Sequence, residues 1–269
     1  MKKILILATL AFMMLPVGAA SKRESLEKRI AATHRIISTD EWYGGHRIKF
    51  DFEGFTAWVV EPAVKPAEGN PWTWTMQWAT AFVPRTGVPD LLAKGWYHVT
   101  LEAFATMASD EALPMFDRYQ RFLVDTLGLA PKACLIGMSW GGFYSTRYAA
   151  AYPANIKAIY LDAPLMNFDG RKRDRGPWND IVPENGCWTE DPRMPVNKAK
   201  ALADAGLPIL LLYGEEDQVL NPVYNCELFA ARFKAAGGNI EVIARPMWGH
   251  HPHGLDPGET IKIVEFFSK

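Results

Sequence analysis

Six short apolar runs, residues 72–76, 96–101, 133–138, 156–161, 208–213 and 240–244, recur along the chain with helix-like stretches between them. The runs have strand length. The intervening segments, at 89–94, 113–126, 141–152, 197–205 and 222–236, with a closing one at 261–267, carry a helical period. Strand and helix in alternation bury their apolar faces only as a mainly parallel sheet with helices on both sides, so the expected class is α/β. Residues 47–52 and 55–60 alternate polar and apolar around Glu53-Gly54, which predicts a hairpin at one sheet edge. Residues 21–37 are charged and amphipathic and read as an outer helix.

One stretch breaks this rhythm. Residues 167–195 are rich in Gly, Pro and charge, include the basic run 171–175, and lack either period. Long loops inside compact domains tend to be functional, so a short lid-like insertion or substrate wall is expected there. No repeat or linker divides the rest, and 269 residues at 49% hydrophobic suffice for one large core, giving a single domain over 21–269.

Residues 1–20 combine Lys2 and Lys3, an apolar run from Ile4 to Leu15 and the small residues Val17-Gly18-Ala19-Ala20, the pattern of a cleavable secretory signal. A secreted or periplasmic protein with no stable membrane insertion is therefore expected. Without Lys2 and Lys3 the chain holds 27 basic against 30 acidic residues, which offers nothing to nucleic acid or an anionic membrane. Cys134 falls in an apolar run and is expected to be buried; Cys187 and Cys226 are the two left that can pair, which spacing alone leaves open.

The residues with chemistry cluster after three of the apolar runs. Cys134-Leu135-Ile136 leads into Gly137-Met138-Ser139-Trp140-Gly141-Gly142, and a helical stretch follows at once. A sharp strand-to-helix turn would lift the Ser139 hydroxyl above the sheet, with glycines where side chains would collide, and would aim the Trp140 amide at a developing oxyanion. Serine needs a base, and the base an orienting carboxylate. Gly214-Glu215-Glu216-Asp217 ends the fifth apolar run, and Trp248-Gly249-His250-His251-Pro252-His253-Gly254 follows the sixth. His250 is the favoured base with His253 the alternative, and Asp162, after the fourth run, is the reserve acid. Glu102 also follows a strand. Three histidines together invite a metal, but with no His-Glu-x-x-His helix and no cysteine pair the loop is read as holding none.

Ser139, Asp217 and His250, in that chain order, resemble the α/β-hydrolase superfamily over essentially the whole of 21–269. The resemblance rests on Gly-Met-Ser-Trp-Gly at 137–141, the Gly-x-x-Asp turn at 214–217, which favours Asp217 over its glutamate neighbours, and Gly249-His250. The Gly-His-His-Pro-His-Gly segment is further similar to a secreted bacterial branch of esterase-like members. The resemblance implies an acyl-enzyme mechanism without a cofactor, acting on carboxylic esters, with acylated carbohydrates as one candidate substrate class. An exported peptidase and a binding protein that kept the fold are the alternatives. In one respect the chain departs from the pattern: many members carry His-Gly after the third strand, where this chain reads Pro71-Trp72-Thr73-Trp74-Thr75-Met76-Gln77-Trp78. Thr75 is the expected second oxyanion donor, and Trp74 and Trp178 are candidate substrate contacts.

Overall fold

A computed structural model describes residues 25–169 and 175–269. The expected signal segment lies outside them. Among the described residues, nine strands form one sheet: β1 (Ile36–Trp42), β2 (Gly45–Phe52), β3 (Phe55–Pro62), β4 (Trp72–Thr75), β5 (Tyr97–Glu102), β6 (Ala133–Met138), β7 (Ile156–Asp162), β8 (Ile209–Gly214) and β9 (Ile240–Arg245). Their order is β1-β2-β3-β5-β4-β6-β7-β8-β9. The first three strands run antiparallel to their neighbours and β4 to β9 are all parallel. The hairpin expected at residues 53–54 joins β2 to β3, with positive φ at Glu53 (52°) and Gly54 (85°), a backbone hand that suits strand twist.

Among the described residues there are seven α-helices: α1 (Leu26–Ala31), α2 (Val88–Ala93), α3 (Leu113–Arg121), α4 (Trp140–Ala151), α5 (Ala199–Asp204), α6 (Leu228–Ala235) and α7 (Ile261–Ser268). The stretch read as one helix over 21–37 is divided, with α1 only six residues long and β1 following it. β1 is an edge strand, exposed along most of its length, so it lacks the inward-facing apolar residues that would mark it.

Side-chain alternation along the strands separates two cores. Along β6, Ala133 and Leu135 face a layer shared with Phe116 and Tyr119 of α3 and Phe143 and Tyr148 of α4. Cys134, Ile136 and Met138 face the other layer, with Leu91 of α2 and Ile263 and Phe267 of α7. Burial on both faces explains why these strands read as continuous apolar runs. The three cysteines are unpaired, and burial raises the Cys134 thiol to about 12.

The described residues of the 167–195 insertion form short helical turns whose large rings pack down, while Val182 and the 184–186 turn stay exposed. Phe168, Trp178 and Trp188 are buried in mutual ring contact, against Phe143 of α4. Asp169 ties the segment together, accepting from the Trp188 and Thr189 amides at 3.1 and 2.5 Å and from the Cys187 thiol at 3.2 Å.

Candidate active site

The chain leaves β4 to add β5 on one side and β6 on the other. At such a switch point the loops after the parallel strands part and leave a crevice at their carboxyl ends. Ser139 stands there, between β6 and α4, with φ 50° and ψ −118°. A non-glycine residue held in this region costs on the order of 1–3 kcal/mol, so the surroundings must enforce it. The Ser139 amide donates to the Asp162 carbonyl at 2.9 Å, and the Ser139 carbonyl accepts from the Gly142 and Leu165 amides, both at 2.9 Å. Space enforces it too. A Cβ on Gly137 would stand 2.8 Å from the Gly142 Cα, and one on Gly142 would stand 2.2 Å from the Pro164 Cβ. Gly141 differs from the expectation of collision, since a Cβ there meets nothing closer than 3.5 Å.

His250 Nε2 lies 3.1 Å from Ser139 Oγ, and its Nδ1 lies 2.6 Å from Asp217 Oδ2. With Nδ1–H directed at the carboxylate, a neutral imidazole presents an Nε2 lone pair to the serine hydroxyl. Asp217 also accepts from the amides of Val219 (2.7 Å) and Leu220 (2.8 Å), the loop after β8 folding around its side chain. Burial alone would raise its pKa. The hydrogen bond from His250, those two amides and the nearby imidazole charge outweigh burial and hold the carboxyl below its usual range. Glu215 and Glu216 are exposed.

A second pair stands beside the first. His253 Nδ1 lies 2.8 Å from Asp162 Oδ1, and Oδ2 of the same carboxylate accepts from the Tyr160 hydroxyl at 2.6 Å and the Gly254 amide at 2.5 Å. Asp162 is thus committed to His253. Glu102 accepts from the Trp58 indole at 3.0 Å, on the antiparallel side of β5. Partial burial and then the charges of His250 and His253 lower the pKa of His251, which sits on the rim.

Ser139 and His250 open into a cleft of about 620 Å³ walled by Trp78, Phe82, Phe104 and Trp140, with His251 and His253 also on its lining. This corrects three expectations. Trp74 is fully buried among Trp72, Tyr119 and Tyr148, because β4 is covered on both faces. Trp178 is 1% exposed beneath Arg147, whose guanidinium lies 4.6 Å from its ring centroid, and it too is absent from the cleft. Thr75 lies inside β4, buried, its carbonyl accepting from the Thr100 hydroxyl at 2.7 Å. Beyond the strand the Gln77 amide is what approaches the start of α4, 3.5 Å from where a Gly141 Cβ would be. Trp78, at φ 62° and 43% exposed, turns outward and packs on Phe104 at 4.7 Å between centroids, the rings tilted by 47°. An aromatic just past the end of a buried strand was the available signal.

The family model described as alpha/beta hydrolase fold matches residues 86–186, which include the β6–Ser139–α4 turn. By this match and by its mainly parallel nine-stranded sheet, the chain has the α/β-hydrolase fold. Among solved structures it resembles dipeptidyl peptidase 4 of Porphyromonas gingivalis, at 15% identity and TM-score 0.60 over 88% of this chain and 35% of that one. It also resembles acylaminoacyl peptidase of Pyrococcus horikoshii, at 14% identity and TM-score 0.58 over 87% of this chain and 49% of that one. S-formylglutathione hydrolase of Agrobacterium tumefaciens is similar at 17% identity and TM-score 0.54, over 87% of this chain and 95% of that one. The chain therefore spans about a third to a half of the peptidases but nearly the whole length of the hydrolase. At such identities the likeness is one of fold. No curated protein matches the sequence.

Proposed function

We propose that the protein is an exported serine hydrolase that cleaves carboxylic esters through an acyl-enzyme. The observation that carries this reading is His250 standing between Ser139 at 3.1 Å and Asp217 at 2.6 Å. In the proposed cycle His250 Nε2 takes the Ser139 proton as Oγ attacks the ester carbonyl. The resulting imidazolium is stabilised by Asp217, which stays ionised. His250 then returns the proton to the leaving alcohol, and a water activated by the same imidazole hydrolyses the acyl-enzyme. The amides of Trp140, at the start of α4, and Gln77 are the proposed oxyanion donors, the helix end adding a favourable partial charge.

The substrate side of the proposal is an acyl ester of a carbohydrate, small enough for the cleft. Trp78 and Phe104 offer flat apolar faces of the kind on which a sugar ring stacks. Export rests on the basic start, apolar run and small residues of positions 1–20. No helix among the described residues is long and apolar enough to cross a membrane.

A fluorophosphonate probe tests the nucleophile: labelling of the wild type and none of folded Ser139→Ala is expected, and an unlabelled wild type overturns the enzyme reading. A panel of acetylated sugars, aryl esters and peptide amides then tests the substrate class. Amide cleavage outpacing ester cleavage, once intrinsic reactivity is allowed for, would replace the esterase with a peptidase.

A further inference from the structure

The loop after β9 brings together three imidazoles, of which the proposed serine mechanism needs only His250. One ring nitrogen from each of His250, His251 and His253 lies within 4.8 Å of the other two. Their rings meet pairwise at 4.7 to 4.9 Å between centroids, nearly perpendicular to one another. Two of the three are held by buried carboxylates through Nδ1, His250 by Asp217 and His253 by Asp162. That leaves Nε2 as the nitrogen each can offer to a ligand. A carboxylate behind an imidazole is the support metal-ligating histidines usually have: it fixes the tautomer, aims the ring and raises the basicity of the outer nitrogen.

We propose that His250, His251 and His253 bind a zinc ion, and that the ion blocks hydrolysis by taking the nitrogen with which His250 would accept the Ser139 proton. The inhibitory half rests on the serine-hydrolase reading; the binding half does not. Zinc fits the donor set because it takes neutral imidazole nitrogens at about 2.0–2.1 Å in tetrahedral geometry, and with three such ligands it keeps a fourth position for water. Three nitrogens around such an ion stand roughly 3.4 Å apart. The cluster must therefore contract, and His251 is the member able to move: it is exposed, on the rim of the cleft, packed against the Phe82 ring at 5.6 Å. Asp217 and Asp162 supply two negative charges directly behind the ligands. Arg85, which packs against this loop from the turn before α2, is committed elsewhere, its Nε donating to the His253 carbonyl at 2.8 Å and its guanidinium pairing with Asp256, also at 2.8 Å.

The ion and the serine compete for one atom. His250 Nε2 faces Ser139 Oγ at 3.1 Å, and a lone pair given to zinc is no longer available to the hydroxyl proton. Magnesium and calcium, which prefer oxygen ligands, should neither bind nor inhibit.

The test titrates zinc into the whole protein by calorimetry or against a chromogenic chelator, and separately follows the rate of fluorophosphonate labelling at Ser139. The wild type should bind one zinc per chain, with labelling slowed in proportion to occupancy and restored by a chelator. His251→Gln, an exposed change that leaves the buried pairs in place, should weaken binding at least about 10-fold, and His253→Gln likewise. His46→Gln, at a histidine on β2, should leave zinc affinity as it is. Wild-type affinity retained in His251→Gln and His253→Gln overturns the site, as does affinity lost in His46→Gln alone. Zinc bound at the loop without slower labelling overturns the inhibition. Failure of the two readings is distinguishable: a protein that binds zinc through this loop yet never labels keeps the metal site and loses the hydrolase, and one that labels but binds no zinc does the reverse.

Discussion

Two histidine–carboxylate pairs come from one loop, their rings 4.9 Å apart, and only one of them faces a serine. The pairs are nearly alike within themselves. His250 is 7% and His253 3% exposed, and Nδ1 lies 2.6 and 2.8 Å from the respective carboxylate. What separates them is where the carboxylate is rooted. Asp217 sits in a loop beyond β8, and apart from His250 it is held by amides of its own turn. Asp162 ends β7 and is tied to Tyr160 and Gly254, while its carbonyl receives the Ser139 amide. It braces the elbow and the loop together. A buried His–Asp pair therefore does not by itself mark a general base; on the proposed reading, reach to Ser139 is what distinguishes His250.

The sharpest way to break this contrast is to remove each base in turn. Ser139→Ala and His250→Ala should each lower kcat/KM for an aryl ester on the order of 10⁴-fold or more, with similar losses because the two act as a unit. His253→Ala should retain far more activity, and an equal loss would erase the distinction between the pairs.

A third buried histidine sharpens the contrast from outside. His98 has no carboxylate: its Nδ1 meets the Thr73 hydroxyl at 2.8 Å, its ring stacks on Trp42, and burial lowers its pKa from 6.5 to about 3. Between pH 6.5 and 3 the unfolded chain holds a proton at this position and the folded protein does not, so stability falls as pH drops through that window. The slope is about 1.4 kcal/mol per pH unit, on the order of 5 kcal/mol in all. Urea unfolding at a series of pH values should show it as a difference between the wild type and His98→Gln. Parallel curves would mean that His98 is protonated in the folded state.

Asp162→Ala should act mainly on stability, by about 3 kcal/mol, because it strands His253, the Tyr160 hydroxyl and the Gly254 amide at once. Asp217→Ala should instead act mainly on activity. Chemical denaturation beside ester kinetics checks both, and the same profile for the two variants would merge the pairs. The smallest effect is at the cleft wall. Trp78→Ala should raise KM several-fold for a ring-bearing ester with little change in folding, since Trp78 is 43% exposed.

Much of this was legible in the residues. β6, β7 and β8 are covered on both faces, so their composition alone marks them, and the glycines at 137 and 142 announce a turn in which a Cβ has no room. β1 was hidden because an exposed edge strand carries no inward apolar pattern. The tryptophans misled for a related reason. Trp74 and Trp178 look like stacking residues by type, but a ring's role depends on which side of the backbone is covered, and both lie under other rings.

The sequence by itself determined the alternation of strand and helix, hence the class of fold, and it placed a serine, an acid and a base at the ends of three strands in a recognisable order. Those are local properties, written in period, turn chemistry and neighbouring glycines. Only the tertiary structure decided that His250, 111 residues from Ser139, is the imidazole that reaches it, that Asp162 belongs to His253, and that Trp78 walls the cleft. Each is a distance between segments that are remote along the chain. Such distances are set by how β6 to β9 pair side by side and by which side chains the two cores have room to enclose.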